Sequence, residues 1–280
     1  MSAKGTKTGM KTALVTGASS GMGRAIAERL LDDGYRVYVA ARGIDRMSDL
    51  AALGARPLQM DISKEDDIRA VVDIILAEAG GVDVLVNNAG FGLYGPVEDV
   101  GLNEARYQFE VNLFGPARLT QLLLPAMRAK GAGTIVNISS MGGKIYTLLG
   151  AWYHATKHAL EGWSDSLRLE LASFGIRVVV IEPGLIETGF GDVLAEGLVT
   201  RSGVGAYATM TQAVAQSTRG AYGQGRGTDP AVIAEVVSKA VHTRRPKTRY
   251  VAGKYAKPMI AIRKWFGDRM FDRVIMSQMR

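Results

Sequence analysis

Seven short runs of β-branched or aliphatic residues recur along the chain: TALVT at 12–16, RVYVAA at 36–41, RPLQM at 56–60, VDVLVN at 82–87, GTIVNIS at 133–139, IRVVVIE at 176–182 and TRYVA at 248–252. Most are apolar at successive positions, the pattern of strands covered by helices on both faces. Between them lie stretches of helical periodicity such as GRAIAERLLDDG, whose closing Gly34 suits a left-handed cap. This alternation predicts a doubly wound, parallel α/β sheet with helices on both faces. Two regions leave the rhythm. Residues 187–228 are rich in Gly, Thr and Ser and read as an irregular insertion holding a short helix or two, a common form of substrate lid. Residues 254–280 follow the last strand and mix basic side chains with Met259, Ile260, Ile262, Trp265, Phe266, Met270, Phe271, Val274 and Ile275. The expected organisation is a single domain over 1–253, lid included, followed by a basic amphipathic helical extension over 254–280.

A chain of 280 residues, 47% hydrophobic, is long enough for one such domain with a sizeable core. The absence of cysteine removes disulfides, thiolate catalysis and Cys-ligated metals, and fits a cytoplasmic protein. No run reaches the roughly 18 apolar residues of a membrane span. The start, MSAKGTKTGMKTALVTG, passes into a strand without the apolar segment of a secretory signal. The net charge of +7 is concentrated at one end: residues 239–280 hold 12 Lys/Arg against Asp268 and Asp272, which leaves 1–238 slightly acidic. Basicity so confined, with no recognition motif, argues against a nucleic-acid binder.

The first strand runs into Thr16-Gly-Ala-Ser-Ser-Gly-Met-Gly23. Glycines at 17, 21 and 23 allow a sharp turn and close approach of a ligand. Ser19, Ser20 and Met22 lie between them, and the following helix offers its free N–H groups to a phosphate. The spacing is G-x-x-x-G-x-G rather than the common G-x-G-x-x-G. At the end of the second strand an acid would bond the ribose of NAD, and a base would accept the 2′-phosphate of NADP. Arg42 stands there, so NADP(H) is the expected cofactor; Asp45 nearby keeps NAD(H) open.

In Tyr153-His-Ala-Thr-Lys157 the tyrosine and lysine share one helix face. Chance placement alone would supply about 0.4 such spacings in this composition, and a second, Tyr250-x-x-x-Lys254, does occur. The second is interrupted by Gly253 and starts in a strand; it reads as structural. A tyrosine titrates near pH ~10, and positive charge from Lys157 and an oxidised nicotinamide would lower it. Tyr153 is then placed to exchange a proton with a carbonyl or alcohol, with Ser140 holding the substrate oxygen. His154 and His158 read as helix-surface or pocket-lining side chains. Paired carboxylates and metal-ligand spacings are not evident.

With these motifs in order, the chain resembles the short-chain dehydrogenase/reductase family from about residue 11 to 190. The motifs are Thr16 to Gly23, Asp61-Ile62, Asn87-Asn88-Ala89-Gly90, Asn112, Ser140, Tyr153 with Lys157, and Pro183-Gly184. The resemblance implies a Rossmann-type sheet of seven mainly parallel strands. It implies Asp61 and Ile62 near the adenine, Asn88, Ala89 and Gly90 along the adenosine ribose, and Pro183, Gly184, Ile186 and Thr188 beside the nicotinamide. It also implies that Lys157 bonds the nicotinamide ribose and that Asn112 positions a water linking Lys157 to solvent. Whether Ser140 or its neighbour Ser139 faces the site is a question of strand parity.

The stretch from Ala159 to Leu171 is similar to the hydroxysteroid and retinol dehydrogenase branch. Phe91, Leu93, Tyr94, Met141, Ile145, Tyr146, Leu148, Leu149 and Trp152 would supply an apolar pocket for a hydrophobic ketone, aldehyde or alcohol. The expected function is NADP(H)-dependent interconversion of such a pair; the alternative is a non-catalytic NADP(H)-binding regulator or scaffold. A homodimer or homotetramer is expected by analogy with the family. The C-terminal segment is expected to cover the lid or pack on another subunit. Peripheral membrane contact is the less favoured reading, because Arg263 and Arg273 interrupt its apolar face.

Overall fold

The computed structural model describes residues 9–223 and 225–277. The first half of the chain builds β1 (Thr12–Thr16), α1 (Gly21–Asp32), β2 (Arg36–Ala41), α2 (Ser48–Ala52), β3 (Arg56–Gln59), α3 (Glu65–Ala79) and β4 (Val84–Asn87). The second begins with α4 (Leu102–Phe109), a π-helical turn at Glu110–Phe114, α5 (Gly115–Lys130), β5 (Gly133–Ile138), α6 (Ala151–Leu171) and β6 (Ile176–Pro183). It ends with α7 (Phe190–Ser202), α8 (Ala208–Tyr222), α9 (Pro230–His242), β7 (Arg249–Ala252) and α10 (Ala256–Met276). All seven expected strands form, and they make one parallel sheet in the order β3-β2-β1-β4-β5-β6-β7.

Alternation along each strand divides the core in two. On one face Ala13, Val15, Val37 and Val39 pack with Ile26 and Leu30 of α1 and Ile233 and Val237 of α9. On the other, Leu14, Tyr38, Leu85 and Ile135 pack with Ile68 and Ile75 of α3, Leu119 and Leu123 of α5, and Leu167 of α6. Neither face of the inner strands β1, β4 and β5 meets water, which explains their unbroken apolar runs. Gly34, at φ +82, closes the end of α1 as expected.

The insertion differs from the irregular lid expected over 187–228. It is mainly two helices of 13 and 15 residues, α7 and α8. They pack on each other through Leu198, Val199, Val214 and Ala215. The C-terminal segment is α10, broken at Gly267 (φ +73, ψ −176). Its Phe271 and Ile275 are buried against Ile145, with Met141, Tyr146 and Leu148 alongside. This segment therefore closes over the loop that follows β5. Arg263 does not interrupt an outer apolar face as expected: its guanidinium lies over the Tyr146 ring, 5.2 Å from the centroid, and pairs with Asp268.

Candidate active site

The strand order reverses between β1 and β4, and the loops leaving their carboxyl ends open a crevice at the point where such sheets bind ligands. Gly17 and Gly21 take φ +66 and +54 in the first of these loops. A Cβ on Gly23 would fall 2.3 Å from the Gly17 carbonyl oxygen and 2.4 Å from Asn88 Nδ2, so the turn admits only glycine there. Ser20 starts α1 without a capping bond from its side chain, and no acid occupies the first turn. Thr188, beyond β6, packs over this turn: its Cγ2 would lie 2.9 Å from a Cβ on Gly21.

Arg42 is exposed at the end of β2, its Nη1 3.5 Å from the Tyr107 hydroxyl. Asp61, after β3, accepts from the N–H and hydroxyl of Ser63 at 3.0 and 2.7 Å. Burial pushes the Asp61 carboxyl up, but these bonds and the charges of Arg42 and Lys64 hold it below the usual range. Two further expected positions are apolar. The side chains of Ile62 and Ile186 are buried in the two core clusters, leaving only their backbone toward the crevice. Asn88 spends its amide on the Thr16 carbonyl (2.9 Å) and thus braces the glycine turn; Ala89 and Gly90 supply the neighbouring backbone.

The π-helical turn carries Asn112, whose Nδ2 donates to the Phe91 carbonyl and to Thr156 Oγ1, both at 3.0 Å, while Oδ1 accepts from the Phe91 N–H. Asn112 and Lys157 both border Gly90: a Cβ there would lie 3.1 Å from Asn112 Oδ1 and 3.8 Å from Lys157 Nζ. Lys157 is buried and donates to the carbonyl of Ile138 at 2.9 Å. Burial lowers its pKa to about 8, with the Glu161 carboxylate acting in the opposite direction. The parity question falls to Ser140. Ser139 Oγ is buried under Gly143, whereas Ser140 Oγ accepts from the Gly142 N–H at 3.0 Å and is the serine near enough to act on Tyr153. Burial pushes the Tyr153 phenol up and the Ser140 bond opposes that shift.

Around the site, His154 and Tyr94 were expected only as surface or pocket-lining side chains, and Phe190, Tyr222, Glu161 and Glu182 carried no signal in the sequence. His154 is buried: Nδ1 donates to the Gly142 carbonyl at 2.9 Å and Nε2 accepts from the Thr147 N–H at 3.0 Å, which pins the loop after β5 onto α6. Burial lowers its pKa to about 4, so it is a neutral brace. Tyr94 and Phe190 flank Tyr153 with ring centroids at 5.7 and 5.9 Å, and Tyr222 of α8 stacks beyond Phe190 at 6.0 Å. One turn beyond Lys157, Glu161 is buried with Glu182 between Lys144 and Arg249. Burial and the neighbouring Glu161 raise Glu182 to about 7.

A cavity of about 400 Å³ adjoins this cluster. Tyr94, Met141, Ile145 and Leu148 line it as expected, joined by Tyr222 of α8 and Met259 of α10. The five other expected pocket residues lie away from it. Phe91 and Leu93 border a separate groove beside Tyr107, Tyr146 packs under α10, and Trp152 packs against the Leu93–Val100–Ala105 cluster. Leu149 packs with the α7–α8 pair. A larger open groove near Glu104 and Arg201 contains none of the expected site residues.

The comparisons agree with this geometry. The family model for short chain dehydrogenase matches residues 11–199. The probable short-chain type dehydrogenase/reductase VdlC of Helicobacter pylori is 32% identical over 96% of this chain and 99% of its own length. Bovine retinol dehydrogenase 8 is 30% identical over 90% of this chain and 85% of its own. A solved short-chain dehydrogenase from Streptomyces avermitilis superposes with a TM-score of 0.80 at 36% identity, covering 96% and 95% of the two chains. Solved members hold either dinucleotide. The actinorhodin polyketide ketoreductase structure contains NADPH (TM-score 0.75, 33% identity, 86% of this chain and 95% of that one). One from Burkholderia phymatum contains NAD (TM-score 0.79, 25% identity, 91% and 93%). Matched to the family model through both the glycine turn and the Tyr153 helix, and to individual members nearly end to end, the chain belongs to the short-chain dehydrogenase/reductase family of oxidoreductases.

Proposed function

We propose that this protein interconverts a hydrophobic ketone or aldehyde and its alcohol with NADP(H), Tyr153 serving as general acid and base. The observation that carries the reading is the meeting of Ser140, Tyr153 and Lys157 at the end of β5, beside an apolar cavity. A dinucleotide fits the crevice: glycines hold the turn open, the α1 N-terminus bears no acid, and Arg42 offers a guanidinium to a 2′-phosphate. Gly17, Ser19, Ser20, Gly21, Met22 and Gly23 would follow its pyrophosphate. Asp61 and Ile62 would border its adenine, Asn88 to Gly90 its ribose, and Pro183, Gly184, Ile186 and Thr188 its nicotinamide. When bound, the nicotinamide gives or takes the hydride.

The remaining work falls to the chain. In the reductive direction Ser140 holds the substrate oxygen by a hydrogen bond and Tyr153 passes its proton to that oxygen. Because burial favours the protonated phenol, the support for phenolate must come from Ser140 and from positive charge brought near the ring. Lys157 and Asn112, side by side at Gly90, would return the proton from solvent. Tyr94, Phe190 and Tyr222 keep water from the reacting oxygen and favour an apolar substrate.

Absorbance of NADPH under a panel of hydrophobic ketones and aldehydes tests the reading. Turnover is expected with bulky apolar carbonyls and not with small polar ones. The Arg42→Ala variant is expected to lose roughly tenfold or more in NADPH affinity relative to NADH, as for removal of a charge-assisted hydrogen bond. An unchanged preference removes Arg42 from this role.

A further inference from the structure

The outer surface of α10 is not used by the site. Trp265 and Phe266 are 74% and 66% exposed beside the break at Gly267, and Met270 follows at 41%. Two adjacent large aromatic side chains left this open are unusual, and they make the helix apolar at its exposed break. Cations surround it. Lys264 lies over the Trp265 ring at 5.0 Å, and Arg269 and Arg273 are exposed on the next turns. Of the two acids of the segment, Asp268 is paired with Arg263, and Asp272, which accepts from the Tyr146 hydroxyl, is outnumbered by Lys264, Arg269 and Arg273. The outward field of this helix is thus positive.

We propose that this stretch docks on an anionic lipid surface, with Trp265 and Phe266 entering the headgroup boundary while Lys264, Arg269 and Arg273 meet lipid phosphates. Charge decides against the nearest competitor, a second copy of the chain. An isologous contact places the patch against itself, and Lys264, Arg269 and Arg273 would then face one another with only Asp272 left to offset them, since Asp268 is paired with Arg263. Tryptophan and phenylalanine flanked by basic residues are the composition of helices that lie in a membrane interface, and each basic residue strengthens the attraction to an anionic leaflet. No helix among the described residues is long and apolar enough to cross a membrane, so the contact is a surface one. The same helix supplies Met259 to the cavity wall. Docking therefore brings the cavity close to the phase in which an apolar substrate dissolves, a consequence that rests on the functional reading above.

Flotation of the full chain with vesicles tests the docking without any turnover, so its result is separate from that of the enzyme assay. Phosphatidylcholine vesicles are compared with vesicles containing about one third phosphatidylglycerol, at low and high salt. The chain is expected to float with the anionic vesicles only and to release as salt rises. The Trp265→Ser/Phe266→Ser variant, exposed and outside the cavity, is expected to partition roughly tenfold or more weakly with an unchanged melting temperature. Lys264→Glu/Arg269→Glu should do the same. Absence of flotation with anionic vesicles, or flotation indifferent to both variants, overturns the proposal. So does a change from oligomer to monomer in the aromatic variant, which would make the stretch a contact between copies.

Discussion

Burial sets the behaviour of the ionisable groups around Tyr153 more than any single charge does. The phenol is pushed up, Lys157 is brought down to about 8 and Glu182 is raised to about 7, all from the loss of water. Glu182 gives a signed expectation. Its folded value lies above the ordinary 4.5, so the folded state holds this proton more tightly. That contribution is complete below the ordinary value and is lost as pH rises through the folded one. Denaturant unfolding over the range from about pH 5 to pH 8 should show stability falling for the wild type, with a flatter slope for Glu182→Gln. An identical slope would mean that Glu182 carries no proton in the folded protein. Glu161 and Glu182 passed unnoticed in the sequence because they lie on different elements, and only the pairing of β6 with β7 and the packing of α6 bring Arg249 between them. Lys157 was legible because it lies one helical turn from Tyr153, and Ser140 because its interval to Tyr153 is the one the family resemblance implies.

At the scale of elements, the strands were readable to within a residue or two, since burial on both faces writes itself as an unbroken apolar run. The insertion was not. Thr, Ser and Gly in ATMTQAVAQSTRGAY argue weakly against a helix, yet α8 forms because Val214 and Ala215 find Leu198 and Val199 on α7. Propensity is local and this support is not, which also hid Tyr222 from the reading. Two elements offer direct tests. Gly23→Ala should abolish dinucleotide binding, because its methyl group meets the Gly17 carbonyl and the Asn88 amide; titration of NADPH fluorescence checks this, and retained affinity would show that the turn can yield. Phe271→Ala should cost about 3–5 kcal/mol if α10 unfolds with the domain, since the ring is fully buried against Ile145 and Tyr146. A loss well under 1 kcal/mol in equilibrium unfolding would instead make α10 an appendage.

Across the whole molecule, the site exists only where distant pieces meet. The glycine turn leaves β1, Asn112 sits on the π-helical turn before α5, Ser140 follows β5, Tyr153 and Lys157 ride on α6, and α8 and α10 close the cavity. The parallel order of the sheet brings all the strand ends to one edge, so a fold legible from hydrophobic pattern places the chemistry as a consequence. The lining of the cavity was less legible than its position, because Leu93, Tyr146 and Trp152 are spent on packing while Tyr222 and Met259 arrive from later in the chain. The central claim is that Tyr153 exchanges the proton with the substrate oxygen. It is tested most directly by comparing wild type with Tyr153→Phe for NADPH oxidation on a hydrophobic ketone that the wild type reduces, with NADPH affinity measured on both. The account predicts a loss of at least about a hundredfold in kcat, the scale of general acid catalysis, with affinity retained. Equal turnover by the two proteins would contradict it.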